Sequence, residues 1–484
     1  MGKVTRRAIL KAGAAVAALV LSPRLGVAKQ RVILNDASRL NPTPVFRHWI
    51  VPTNDEAGFI ESLRAELKDA AVAKRPVALS AARHSMGGQS LPRNGTAITL
   101  SVNRCEPDIV AKAYRVSAGT RWHQVIAKLD AISFSPAVMQ SNNDFGVAST
   151  FSVNAHGWPV PFGPFGSTVR ALKMMLADGS IVTCSRTENA DLFKLAMGGY
   201  GLIGAILELD VDMVENILVE PKYQVLPATD FSTRFVAAAT APATRMAYGR
   251  LAVAKSQFFE EGLIVSYQPA PPGAGPVPKA GAGGFATALS RKIYRAQVGS
   301  EIGKRARWLA ETVVGPKLAA GAVSRNTLLN EPVANLAGSD PARTDILHEY
   351  FIPPARFGDF VALCRKLIPN SHQELLNITL RYVAADTASV MAFAPTPRIA
   401  GVMSFAQQTT PESEADMIEL TESLIEGVGG LGGSFYLPYR LHARPDQVRA
   451  IYQQTDEFIA GKRRYDPNLL FRNAIWPAYF ATDG

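Results

Sequence analysis

The stretch Arg75–Leu91, RPVALSAARHSMGGQSL, constrains the fold most, because it joins a strand-like apolar run to a turn of small residues holding one histidine. Pro76–Leu79 has the character of a short buried strand. Ser80, Ala81 and Ala82 then remove bulk, so that backbone N–H groups can face an anion. Arg83 adds a fixed positive charge, and Gly87-Gly88-Gln89 permits positive φ and close approach, both of which suit a pyrophosphate. From the residues alone a second account stays open: a glycine-rich turn between two strands, with His84 as a hydrogen-bonded structural histidine.

A second constellation, Ser141–Gly157 (SNNDFGVASTFSVNAHG), is mostly small or polar. Its Gly146, Ala148, Ser149, Ser152 and Ala155 are spaced so that backbone can lie against a flat ring system. A long surface loop is the alternative, although structureless loops of this length are uncommon and often functional. Gly199–Gly204 matches G-x-G-x-x-G, yet a dinucleotide fingerprint must follow a strand and open a helix. Here the helix-like Ala190–Met197 precedes the glycines and the strand-like Ala205–Val211 follows them, so a Rossmann reading is rejected on order.

The run Arg83–Ser90 resembles the pyrophosphate loop of the vanillyl-alcohol-oxidase (PCMH-type FAD-binding) family of flavoproteins, which includes aldonolactone and alditol oxidases and cytokinin dehydrogenases. The resemblance covers nearly the whole chain after residue 28, with its specific motifs between residues 75 and 210. It implies an α+β enzyme with three parts: a two-subdomain FAD-binding domain from 40 to 214, a substrate or cap domain on an antiparallel sheet from 215 to 432, and a segment from 433 to 484 returning to the FAD site. On this resemblance FAD is held by Ser80, Ala81, Ala82, Arg83, His84, Ser85, Gly88, Gln89 and Ser90, and bonded through His84, since many members link that histidine to the flavin 8α-methyl group. A histidine that only hydrogen-bonds near the ring is the alternative. Ser149, Ser152, Asn154 and His156 are further contacts from the second constellation, with a purely structural His156 as the competing account. Gly199, Gly201 and Ile206 join them because Gly199–Gly204 resembles the turn into the last strand of the flavin domain. Asn473 joins because Tyr465–Asn473 resembles the family's Asp-Pro…Phe-x-Asn ending.

Arg381 and Tyr436 are the candidate catalytic residues. Sugar-lactone relatives carry a Glu two residues before the arginine that Arg381 matches, and here that place holds Thr379. The departure weakens the case for a lactone or alditol substrate. The implied activity is oxidation of an alcohol carbon, sugar- or lactone-like, or of an amine carbon, by hydride transfer to flavin N5 with reoxidation by oxygen. Two alternatives are a dehydrogenase with a quinone or protein acceptor, and a non-catalytic flavin- or ligand-binding protein on the same fold.

The first 28 residues read as an address. Thr5-Arg6-Arg7 with Ile9, Leu10 and Lys11, a modest apolar run to Leu21, and Gly26-Val27-Ala28 resemble a twin-arginine export signal, which predicts a periplasmic or secreted protein; a retained anchor is the alternative. The net charge of +10 falls to +5 once Lys3, Arg6, Arg7, Lys11 and Arg24 are set aside, too mild to argue for nucleic acid. Cys105, Cys184 and Cys364 lack metal-ligand spacing and read as structural thiols with room for one disulfide. Pro269–Gly284 reads as a mobile loop. Ser290–Thr312 reads as a basic amphipathic helix or helix pair, either solvated or in contact with an anionic membrane surface or an acidic partner.

Overall fold

The computed structural model describes residues 32–52, 56–281, 292–318, 321–332 and 340–481; the export signal expected over 1–28 lies outside them. The N-terminal part is built on two sheets. Strands Arg47–Ile50, Thr96–Thr99 and Val77–Ser80 form a three-stranded parallel sheet in that order. The first and last of these are joined across helix Glu56–Val72, which buries Phe59, Leu63, Leu67 and Ala70 at helical spacing. A six-stranded antiparallel sheet follows, with Ala205–Glu215 at its centre between Val169–Met175 and Ala113–Ser117.

An eight-stranded sheet, antiparallel throughout, makes the rest: Leu218–Pro227, Met246–Leu251, Glu261–Pro269, Arg343–Ile352, Glu374–Val383 and Arg398–Gln408, edged by the short Val323–Ser324 and Ser434–Phe435. Its strands obey the two-residue alternation of a sheet with two different faces. Ile346, Ile378, Leu380, Met403 and Phe405 are fully buried on one side, beside helices Ala228–Thr240, Phe357–Leu367 and Pro411–Gly430. Close approach there needs glycine, because a Cβ at Gly249 would meet the Phe231 ring at 2.3 Å. The alternate residues Arg250, Asn377, Thr379, Arg381, Val402 and Ser404 line a cavity on the other side. The tail returns to the first sheet: Val77 N–H donates to Leu470 O at 2.7 Å, and Phe471 bridges Val77.

Several expectations need correction. Ser141–Gly157 is not all loop, because Val147–Ser152 is a short helix. All three cysteines are free: Cys105 and Cys184 lie on different strands and Cys364 on a helix of the other half. Within the expected loop 269–284, Ala270–Gly281 is irregular and almost wholly exposed, with Ala280 N–H donating to Asp130 Oδ2 at 2.9 Å, and residues 282–284 lie outside the described ones.

Three of the basic residues described in the 290–312 stretch, Arg295, Lys304 and Arg307, are turned inward. Arg295 engages Asp345 with both terminal nitrogens, Lys304 is buried beside Glu301 and Glu374, and Arg307 donates to Leu376 O at 3.0 Å and to Asn377 Oδ1 at 3.1 Å. Lys292 and Arg305 stay exposed, together with the apolar Ile302 and Leu309. No helix among the described residues is long and apolar enough to cross a membrane.

Candidate functional site

The strand Val77–Ser80 ends at a cavity of about 960 Å³, and the small-residue loop after it forms one wall. Arg83 is held at φ 53°, a left-handed conformation that a long side chain adopts only under constraint. The constraint comes from outside the loop. Ala37 N–H donates to Arg83 O and Ser85 O, Met86 N–H to Pro438 O at 3.1 Å, and Gly88 N–H to Asp36 Oδ2 at 2.7 Å. Gln89 Nε2 donates to Leu437 O and Tyr439 O, both at 2.8 Å. The inner N–H groups are left over: among the described residues those of Ala81, Ala82, Arg83, His84 and Ser85 have no acceptor. A run of free backbone donors beside a fixed guanidinium is an anion site. Arg83 itself is steadied by Thr99 Oγ1 at 2.9 Å, with no carboxylate in ion-pair range among the described residues.

The neighbouring wall is the segment Gly146–Val153. A Cβ at Gly146 would meet Ala81 Cβ at 2.5 Å, so the two loops touch through their smallest residues. The short helix is fixed from behind by Trp122 Nε1 donating to Thr150 Oγ1 at 2.9 Å. Just before it, Asp144 Oδ2 lies 2.7 Å from His84 Nε2, and the Phe145 ring sits 4.7 Å from the imidazole. Arg121 donates to Asp144 O at 2.7 Å, which sets that carboxylate in place.

The third wall is the open face of the eight-stranded sheet with the C-terminal aromatics. Tyr436 OH donates to Val153 O at 2.8 Å, joining the sheet side to the loop side. Tyr439 OH donates to Glu349 Oε2 at 3.1 Å, and the other oxygen of Glu349 meets His156 Nε2. Burial pushes both phenols well above the usual tyrosine range, so at neutral pH they are hydrogen-bond donors rather than bases. Burial also pulls the Arg381 guanidinium below its usual value, opposed by the nearby Glu349 charge; its terminal nitrogens reach Ser141 Oγ and, at 3.5 Å, His156 O.

Of the residues singled out from the sequence, the cavity brings together Ser80, Ala81, Ala82, Arg83, His84, Ser85, Gln89, Ser90, Ser149, Ser152, Gly201, Arg381 and Tyr436. The others stand behind its walls. Gly88, at φ 74°, is used for the turn. Asn154 bonds Asp386 and Gly166, and His156 is buried among Phe351, Phe393 and Tyr436. Gly199 packs on Leu195 O, and Ile206 sits in the central strand. Asn473 Nδ2 donates to Tyr200 O at 2.9 Å, holding the turn that carries Gly201. That turn has a second anchor, the fully buried Lys462–Asp466 pair, whose ammonium also donates to Leu202 O. Removing one partner of such a pair costs roughly 3–5 kcal/mol.

Sequence reasoning missed Asp144, Glu349, Tyr439, Arg250 and Arg307 as site residues. Asp144 lay within the quoted small-residue run, and strand alternation outward from Arg381 points to the sheet face that Arg250 shares.

Residues 56–185 match the sequence family described as FAD binding domain. Among curated proteins, cytokinin dehydrogenase 2 of Arabidopsis thaliana is 30% identical over 155 residues, 31% of this chain and 30% of the relative. D-arabinono-1,4-lactone oxidase of Yarrowia lipolytica is 33% identical over 92 residues, 19% of this chain and 18% of the relative. The enzyme of the same name from Debaryomyces hansenii is 27% identical over 111 residues, 23% of this chain and 20% of the relative. The similarity thus spans less than a third of the length of each of these relatives.

Proposed function

From a chain that carries an FAD binding domain at residues 56–185, we infer an FAD-dependent oxidoreductase acting on an alcohol or amine carbon. The observation that carries this reading is the cavity itself, walled by free N–H donors and small residues on one side and by hydrogen-bonding side chains of a sheet on the other. The residues present fit the cofactor: the donors of Ala81–Ser85 with Arg83 suit a pyrophosphate, and the Gly146–Ala81 contact suits the approach of a flat ring. Gly201, where a Cβ would meet nothing within 4 Å, leaves room at the far turn. In this reading the two N-terminal sheets are the two subdomains of a PCMH-type FAD-binding domain, residues 215–432 are the cap domain, and His84 carries the covalent bond.

When bound, FAD supplies the two-electron acceptor for the carbon that is oxidised. The chain's own part is orientation and proton placement. Tyr439 gives its phenol hydrogen to Glu349 Oε2 and keeps its oxygen lone pairs for a substrate hydroxyl, while Glu349 is steadied by His156. Arg381 lies beside this group and holds the polar end of a substrate. Tyr436 closes the gap between the walls and excludes water.

The relatives' names, a lactone oxidase and a cytokinin dehydrogenase, agree with an oxidoreductase. Oxygen is the acceptor in the first reading. A quinone or protein acceptor is the second, favoured by the exposed Ile302, Leu309, Val313 and Val314 on the helical segment that brings Arg307 to the cavity. The same apolar strip is where peripheral membrane contact would occur. Export to the periplasm through Arg6 and Arg7 completes the proposal, and the double change to lysine is expected to retain the protein in the cytoplasm.

The test is anaerobic mixing of the purified protein with a panel of polyols, aldonolactones, sugar acids and amines. Bleaching of the flavin spectrum by one of them supports the reading, and oxygen dependence of its return separates the two acceptors. An unbleached flavin across all four classes counts against an enzyme and for a binding protein.

A further inference from the structure

The sheet wall of the cavity carries a row of positive charge. Asn377, Thr379 and Arg381 are the successive inward-facing positions of strand Glu374–Val383, spaced ~7 Å apart as alternate residues of a strand are. Each position presents a guanidinium. Arg307 donates to Asn377 Oδ1 at 3.1 Å, Arg250 donates to Thr379 Oγ1 from the paired strand, and Arg381 is the third.

Two carboxylates that balance this row stand behind the wall. Glu311 is shared between Arg307 and Arg250, and Glu349 is taken up by His156 and Tyr439; neither lines the cavity. Asp345, which does line it, is engaged by both terminal nitrogens of Arg295. Among the described lining residues, five arginines (Arg39, Arg83, Arg250, Arg307 and Arg381) face two carboxylates, Asp345 and Glu331, so the interior is positive even after Arg83 is assigned to the cofactor.

Arg381 is the least satisfied of the row. Among the described residues no carboxylate lies within ion-pair range of it, and its Nε is buried without a hydrogen-bond partner. A guanidinium held in a part-buried wall with an unused donor is completed by an anion that offers two oxygens in one plane.

We propose that the substrate is itself an anion, a hydroxy acid whose carboxylate is held by Arg381 and Arg250 on the sheet wall while its hydroxyl-bearing carbon is presented to the flavin. This deepens the oxidoreductase reading above and rests on it. Thr379 then has a positive role: a carboxylate at that position would neutralise the two arginines on either side of it, whereas a hydroxyl steadies Arg250 and leaves the charge for the ligand.

The experiment compares three probes on one carbon skeleton, D-arabinonate, D-arabinono-1,4-lactone and D-arabinitol, together with the matching acid, lactone and polyol sets of four and six carbons. Binding to the FAD-loaded protein is read as the anaerobic perturbation of the flavin spectrum, and reduction as its bleaching. At least one acid is expected to bind about tenfold more tightly than its lactone and its polyol. Arg381→Met and Arg250→Met are each expected to remove that preference, Arg381→Lys to keep part of it, and flavin content and thermal stability report folding of each variant. Equal or tighter binding of the neutral partners, the absence of a spectral change with every acid, or a preference that survives both methionine variants overturns the proposal. Bleaching by a neutral lactone or polyol without any preference for the acid overturns it while leaving the oxidoreductase reading intact. Tight acid binding lost in the methionine variants, but with no bleaching by any compound, upholds the anion site and counts against the oxidation.

Discussion

His84 Nε2 sits 2.7 Å from Asp144 Oδ2, so one nitrogen of the imidazole is committed to a carboxylate, and the other has no partner among the described residues. The pair fixes the ring's tautomer and its direction in the cavity wall, and Arg121 fixes Asp144 in turn. A neutral ring that donates from Nε2 has its lone pair at Nδ1, the atom that would attack the flavin methyl edge.

Wild-type protein precipitated with acid is therefore expected to keep its flavin in the denatured band, and His84→Ala to release all of it. Asp144→Asn keeps an acceptor oxygen but loses the charge, which is expected to slow formation of acid-stable flavin by about tenfold. Flavin released entirely from wild type disproves the bond.

Gly146 and Ala81 meet where the two loops close on the cavity. Because a Cβ at 146 would stand 2.5 Å from Ala81 Cβ, Gly146→Ala forces the loops apart at a cost of about 1–3 kcal/mol. In a His84→Ala background, where the cofactor exchanges freely, the dissociation constant for FAD is expected to rise by about tenfold. Unchanged affinity would mean that this contact does not shape the site.

How much of this was legible in the chain follows from what kind of contact each residue makes. The loop from Ser80 to Ser90 was readable because its function is in its own backbone and small side chains, which the local sequence states directly. The order of helix, glycines and strand around residues 190–211 was readable for the same reason. Glu349 and His156 are 193 residues apart, and nothing local to either marks the other as its partner. The basic residues of 292–312 misled because amphipathic spacing shows two faces without saying which is covered; Asp345, Glu374 and Asn377 drew the charged face inward. Tyr436 and Tyr439 are fixed by hydroxyl bonds to Val153 and Glu349, partners far away in the chain that nothing local to the two tyrosines marks.

Acid is expected to loosen the junction between the flavin loop and the C-terminal segment. Burial pushes Glu414 up, but the hydrogen bond with His442 and the charge and hydrogen bond of Arg440 outweigh it and bring its pKa down to about 2 from 4.5. Arg440 in turn donates to Met86 O at 3.3 Å, two residues from His84. A depressed carboxylate contributes stability that is present above 4.5 and lost as pH falls towards about 2, here on the order of 3 kcal/mol.

Burial, helped by the charges of His442 and Arg440, also brings His348 down to about 3 from 6.5, so the stability of its neutral form is lost as pH falls from 6.5 towards 3. The thermal midpoint should decline in two overlapping stages below pH 6.5. His348→Gln, neutral at every pH, should flatten the upper stage. A flat profile between pH 6.5 and 4.5 in the wild type would contradict the buried, neutral His348.

The flavin content of the purified protein tests the central claim most directly. The account predicts a yellow protein with about one FAD per chain, because the free donors of Ala81–Ser85, the Gly146 contact and the turn at Gly201 line one cavity. Absorbance near the flavin bands, followed by separation of FAD from FMN after proteolytic digestion, gives the answer. Protein without flavin after expression with an adequate flavin supply, or protein that carries only FMN, would contradict it.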